Sequence, residues 1–156
     1  MSNPATIHAS AALVGARAVL VRGPSGSGKS SFVLALLRAA QSGILPFARF
    51  ARLVADDRAI VTASHGRLIV RPADTLAGLI EARGLGILRL PYEGAAVIGC
   101  VVDLGADSKR LPEDSERETV IAGVRLARLA VAPGTDPLLL FQNFLDQTAH
   151  KAPESL

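Results

Sequence analysis

Short apolar runs separated by turn residues set the pattern of this chain, and only two stretches show helical periodicity. Ile7 to Val14 reads as a strand, Gly15-Ala16-Arg17 as a turn and Ala18 to Arg22 as a second strand, a hairpin leading into a glycine-rich segment. From Lys29 to Gln41, Phe32, Val33, Leu36 and Leu37 recur at helical spacing, and Ser42-Gly43 supplies a C-terminal stop. Gly43 to Arg52, with Pro46 inside it, predicts an irregular connector. Leu53-Val54-Ala55 predicts a short strand that ends on two acids, Asp56 and Asp57. Ala59 to Thr62 and Arg67 to Arg71 flank Ser64-His65-Gly66 as a hairpin, which makes His65 a turn residue.

Further along, Thr75 to Ala82 predicts a short helix or an irregular loop, Gly84 to Leu90 an extended segment, and Ala95 to Leu104 a strand buried on both faces. The polar stretch Gly105 to Arg117 predicts an exposed, mobile loop. Val120-Ile121 and Leu126 to Val131 form another expected strand pair. A last helix runs from Asp136 or Pro137 to about Ala149, capped by Asp136, with Leu138, Phe141 and Leu145 on one stripe. Many strands and two helices do not alternate as in a regular βαβ fold, so the expected class is α/β with a mixed sheet and flanking helices.

Composition narrows the function classes. At 156 residues and 49% apolar, the chain is sized for a single domain, residues 1–156, with a real core. Its 17 basic and 14 acidic residues give a net charge of +3, but the arginines from Arg22 to Arg128 are scattered and Trp is absent. That excludes a dense nucleic-acid footprint with stacking platforms. Cys100, the one cysteine, lies in an apolar run and reads as a small buried hydrophobe in a reducing compartment. No stretch reaches the roughly 18 apolar residues of a membrane span. The first residues lack a basic segment followed by an apolar run, so the expectation is a soluble, cytoplasmic protein.

The chemistry begins at Gly23-Pro24-Ser25-Gly26-Ser27-Gly28-Lys29-Ser30, a complete G-x-x-x-x-G-K-[ST] phosphate loop between an apolar strand and a helix. Glycines let the backbone wrap closely around phosphate oxygens, and the helix N-terminus adds positive partial charge. Lys29 would reach the β- and γ-phosphates and Ser30 would ligate Mg²⁺, so the cofactors expected are ATP and Mg²⁺. Asp56 and Asp57, at the end of a strand beside the loop, can hold Mg²⁺ or accept a proton from an attacking hydroxyl. Adjacent acids point in different directions, which allows one of each role.

Four segments in order, His8, the phosphate loop, Leu53-Val54-Ala55-Asp56-Asp57-Arg58 and Ile80-Glu81-Ala82-Arg83-Gly84-Leu85-Gly86-Ile87, resemble the catalytic domain of HPr kinase/phosphorylase. The resemblance covers a catalytic core of about residues 5–135, with the helix of about residues 136–149 beyond it. It implies a phosphate-loop fold of the HPr kinase/phosphoenolpyruvate carboxykinase type. The implied activity is phosphorylation of a serine on the phosphocarrier protein HPr by ATP, with dephosphorylation by inorganic phosphate to give pyrophosphate. By the same resemblance, Lys29 is the γ-phosphate clamp and Ser30 and Glu81 are Mg²⁺ ligands. Asp56 and Asp57 contain the proton acceptor, His8 acts near it, and Arg83 and Arg110 are catalytic. The partners implied are HPr, ATP and phosphate or pyrophosphate, in a homo-oligomer that in the family is a hexamer.

The departures from that family are specific. The chain resembles a short form without the family's N-terminal domain, and Gly43 to Arg52 is longer than the pattern. The downstream loop, with Arg110-Leu111 as its best match, is short and lacks aromatic residues. Ala130 to Thr135 has the proline and glycine of a dephosphorylation motif but not its arginine, so the resemblance implies the kinase direction more fully than the phosphorylase. Two other readings remain open: a small-molecule kinase, and a nucleotide-binding regulatory module without turnover.

Overall fold

The computed structural model describes residues 1–45 and 50–151. The expected connector Gly43 to Arg52 therefore lies partly outside the described residues, from Pro46 to Arg49. The first strands are β1 (Ala5–Ile7), β2 (Ala9–Val14) and β3 (Arg17–Arg22), so the expected opening strand is broken at His8. Helix α1 (Lys29–Gln41) has the expected bounds, and Gly43 ends it with a positive φ of 73° and an N–H bonded to Ala40 O. Next come β4 (Ala51–Ala55), β5 (Ala59–Ser64) and β6 (Arg67–Pro72), with His65 and Gly66 both at positive φ in the β5–β6 turn.

Downstream of that hairpin the expectation for 75–82 needs correction. A 3₁₀ turn occupies Asp74–Leu76, and β7 (Leu79–Ala82) then pairs with β8 (Gly86–Arg89) in a separate two-stranded hairpin. A short apolar run carries too little periodicity to distinguish strand from helix, and cross-strand pairing decides it. β9 (Ala96–Leu104), β10 (Glu118–Ile121), β11 (Val124–Val131) and α2 (Pro137–Lys151) complete the fold. Leu138 N–H donates to Asp136 Oδ1 at 3.0 Å, the expected N-cap. The exposed 105–117 segment contains a 3₁₀ turn at Asp114–Arg117 closed by a reciprocal Glu113–Glu116 capping box.

Strands pair in the order β1-β5-β6-β9-β3-β2-β4, and β11 joins β10 to β9. β9 is where the parts meet: it runs parallel to β3 and to β11, while its first residues pair antiparallel with β6. The β3–β9 register shifts between Ala18 and Val19, which leaves Gly99 as an extra residue. A Cβ on Gly99 would come within 2.8 Å of Arg17 Cβ. The bulge rephases the strand, so Ile98 and Val101 face one core while Cys100 and Val102 face the other.

Those cores lie on opposite faces of the sheet, as the period-2 alternation of β3 requires. Val19 and Val21 pack with Phe32, Val33 and Leu36 of α1 and with Phe141 of α2. Ala18 and Leu20 pack with Val54, Val61, Leu68 and Val70 on the other face. Phe32 and Phe141 meet edge to face with centroids 5.8 Å apart, which locks the two helices together. Cys100 is buried, as expected, and burial pushes its thiol up to about 12. Among the described residues no helix is long and apolar enough to cross a membrane.

Candidate active site

The phosphate loop is built by close backbone approach. A Cβ on Gly23 would lie 2.5 Å from Ser27 Oγ and 2.8 Å from Leu104 O, so only glycine fits where the loop leaves β3 beside the end of β9. Gly28 caps α1 in the left-handed conformation, at φ 96°, and no side chain bonds to the helix start. Lys29 is buried, and its ammonium donates to Gly23 O at 2.9 Å and Pro24 O at 3.2 Å, which curls the cation inside the loop. That satisfies a charge whose burial without partners would be costly.

Asp56 and Asp57 separate cleanly. Asp56 is buried at the end of β4; its Oδ1 accepts from Ser30 Oγ at 2.6 Å and Ser10 Oγ at 2.8 Å, and its Oδ2 from Glu81 N–H at 3.0 Å. Asp57 turns outward, and its Oδ1 lies 3.1 Å from His8 Nε2. Its backbone has a φ of 65°, and Arg58 N–H donates to Asp56 O at 2.7 Å across it, a γ-turn with the uncommon positive-φ centre. Backbone strain of that kind is held only where surroundings over-determine it, and Ser10 Oγ, which accepts from Asp57 N–H at 3.2 Å, supplies part of that hold.

One cleft of about 540 Å³ gathers these groups. His8, Lys29, Ser30, Asp56, Asp57, Glu81 and Arg83 line it, as do Ser25, Gly26 and Gly28 of the loop. Gly23, Pro24 and Ser27 do not line it; Gly23 lies instead against Ser27 Oγ and Leu104 O. Arg110 does not line the cleft: it is exposed on the 105–117 loop, where the neighbouring Lys109 is drawn to Glu116 at 2.8 Å. Ser10 is a site residue that the sequence reading does not single out. It is a fully buried hydroxyl between apolar neighbours in β2, and a lone buried polar residue must find a partner, here both acids. Ile87 of β8 and Leu79 of β7 add an apolar wall.

The residues fit a nucleotide with Mg²⁺. At Gly26 and Gly28 a Cβ would meet nothing within 4 Å, so the loop presents bare backbone to open space. Among the described residues no three carboxylate, histidine or cysteine side chains converge as an all-protein metal cage. One hydroxyl, Ser30, with nearby carboxylates is instead the donor set that suits Mg²⁺ shared with phosphate oxygens.

Comparison with known proteins leads to the same family as the four motifs. The chain is 31% identical to the HPr kinase/phosphorylase of Clostridium tetani over 137 residues, and 29% identical to that of Clostridium acetobutylicum. Both matches cover 80% of this chain and 42% of the relative, so the chain spans less than half the length of these proteins. No family model matches the chain. In fold it is similar to the Hpr(Ser) kinase/phosphatase from Coxiella burnetii, with a TM-score of 0.72, 21% identity, and coverage of 94% of this chain and 97% of that one. In sequence this chain is similar to the HPr kinase/phosphorylases over less than half of their length, and it shares the mixed α/β fold of the Coxiella burnetii structure.

Proposed function

We propose that this domain is an ATP-dependent protein kinase that phosphorylates a serine of the phosphocarrier protein HPr, with a phosphate-dependent reverse reaction that yields pyrophosphate. The observation that carries the reading is Asp57: an open carboxylate paired with His8 in the same cleft as the Lys29–Ser30 end of the phosphate loop. Asp56 is buried and already accepts from Ser10, Ser30 and the Glu81 amide, so Asp57 is the acid open to take a proton.

In the forward direction the serine hydroxyl attacks the γ-phosphorus as its proton passes to Asp57, and ADP leaves. His8, 3.1 Å from Asp57 Oδ1, orients the carboxylate. Lys29 and the uncapped start of α1 offset the charge on the transferred group, and Arg83 adds a cation at the cleft wall. Ser30 and Glu81 would hold Mg²⁺, which neutralises phosphate charge when bound. In reverse, inorganic phosphate attacks the phosphoserine and Asp57 returns the proton to the leaving serine oxygen, so that phosphoserine and phosphate become serine and pyrophosphate. We place this activity in the cytoplasm and in a homo-oligomer. The exposed Leu85 and Ile87 of the β7–β8 hairpin, 78% and 65% accessible, offer apolar surface for contact with protein.

The test is incubation with Mg²⁺, γ-labelled ATP and HPr, then addition of phosphate. Label on an HPr serine, released as pyrophosphate, supports both directions. ATP binding without transfer would replace the kinase with a nucleotide-binding regulatory module.

A further inference from the structure

On the face of the sheet opposite α1, two arginines close on one carboxylate. Arg22 Nε and Nη2 donate to Asp103 Oδ1 and Oδ2 at 2.7 and 2.8 Å, and Arg128 Nε donates to Oδ2. These residues end or border three parallel strands, with Arg22 paired to Asp103 in the β3–β9 register. Arg22 and Asp103 each lie one step from the phosphate loop or its support. Gly23 follows Arg22 and packs against Leu104 O, which follows Asp103; Pro24 in turn sits 3.6 Å from where a Cβ on Gly105 would be. The first half of the phosphate loop thus rests on the exit of β9.

The same arginines also hold the other end of the 105–117 loop. Arg128 Nη1 donates to Glu116 O at 3.0 Å, and Arg22 Nη2 to Thr119 Oγ1 at 3.3 Å. Both ends of the loop, its departure at Asp103-Leu104 and its return at Glu116 to Thr119, are therefore tied through one ion cluster at the root of the phosphate loop. A bidentate arginine–carboxylate contact of low exposure is a geometric clamp and not merely a surface charge pair.

We infer that Arg22, Asp103 and Arg128 are positioning residues that couple the conformation of the 105–117 loop to the phosphate loop, so that ordering one favours ligand binding at the other. The inference rests on the nucleotide-binding reading above. Because binding coupling is reciprocal, Mg·ATP should protect the loop as much as the ordered loop favours Mg·ATP.

The experiment measures Mg·ATP affinity by calorimetry and maps tryptic cleavage after Lys109 and Arg110, with and without Mg·ATP. In the wild type, Mg·ATP is expected to slow cleavage at these sites. Asp103→Asn, close to isosteric, is expected to weaken Mg·ATP by about tenfold, to speed loop cleavage and to abolish its protection by nucleotide. Arg128→Lys keeps a cation near Asp103 but gives up the bond to Glu116 O, and is expected to do the same to a smaller degree. A purely structural role would lower thermal stability without changing nucleotide affinity or nucleotide-dependent protection. Folded Asp103→Asn protein with wild-type affinity overturns the coupling. If that variant does not fold, faster cleavage with unchanged affinity in Arg128→Lys overturns it. A wild type that binds no Mg·ATP overturns the phosphate-loop reading itself, and the coupling with it.

Discussion

His8 Nε2 and Asp57 Oδ1 stand 3.1 Å apart, and both side chains are more than half exposed, at 52% and 63%. One residue earlier in the chain, Asp56 is buried and accepts three hydrogen bonds. Two adjacent acids of the same type are thus given different chemistry by a single γ-turn.

That division predicts opposite phenotypes. Asp57→Asn should lower phosphoryl transfer by about 10²- to 10⁴-fold, the usual scale for losing a general base, while ATP affinity is unchanged. Asp56→Asn should impair nucleotide binding and also destabilise the fold by about 1–3 kcal/mol, because it replaces an acceptor of three bonds with a group that must donate from one side. Labelled transfer, calorimetry and denaturant unfolding of the two variants check both; equal effects on binding would refute the division.

Gly23→Ala should remove ATP binding without removing the fold. The new methyl would collide with Ser27 Oγ at 2.5 Å and with the Leu104 carbonyl at 2.8 Å, and the second of these is backbone of a central strand. The expected cost is about 1–3 kcal/mol, typical of overpacking, with the displaced loop unable to close on phosphate. Circular dichroism with calorimetry separates the two effects.

Acid stability should depend on Asp103. Burial by itself would raise its carboxyl, but hydrogen bonds and charge from Arg22 and Arg128 outweigh burial and hold it below the usual aspartate value. A carboxyl depressed in the folded state adds stability that is fully present above its unfolded pKa. That stability is lost as pH falls through the lower folded value. Asp103→Asn should therefore lose stability relative to wild type near neutral pH, and the gap should narrow on acidification below the ordinary aspartate range. Urea unfolding from about pH 7 down to about pH 2.5 measures the gap; a constant difference would mean that the carboxylate charge is not what Asp103 contributes.

Cys100 should resist alkylation in the native protein. Its thiol, buried in β9 and pushed up to about 12, carries almost no thiolate near pH 8. Iodoacetamide should label it only after unfolding, at a rate that follows the unfolded fraction; prompt labelling of the folded protein would show that the strand opens locally.

Local signals are legible in the chain itself. The glycine and lysine spacing of residues 23–30, the periodicity of Lys29 to Gln41, the His65-Gly66 turn and the Asp136 cap are each written within a few residues, and short-range sterics and hydrogen bonding suffice to form them. The β7–β8 hairpin is not legible as such, because four apolar-rich residues fit a helix turn as well as a strand until a partner strand is present. Ser10 reads as filler between alanines, since its partners Asp56 and Asp57 are brought to it only by the β2–β4 pairing. The clamp of Arg22, Asp103 and Arg128 depends likewise on β9 lying between β3 and β11. Sequence alone determined that a phosphate loop sits between a strand and a helix, and that two acids follow the next strand. Tertiary structure decided which acid is buried and which is open, and what stands behind the loop, because those outcomes depend on contacts between residues distant in the chain, which no local pattern encodes.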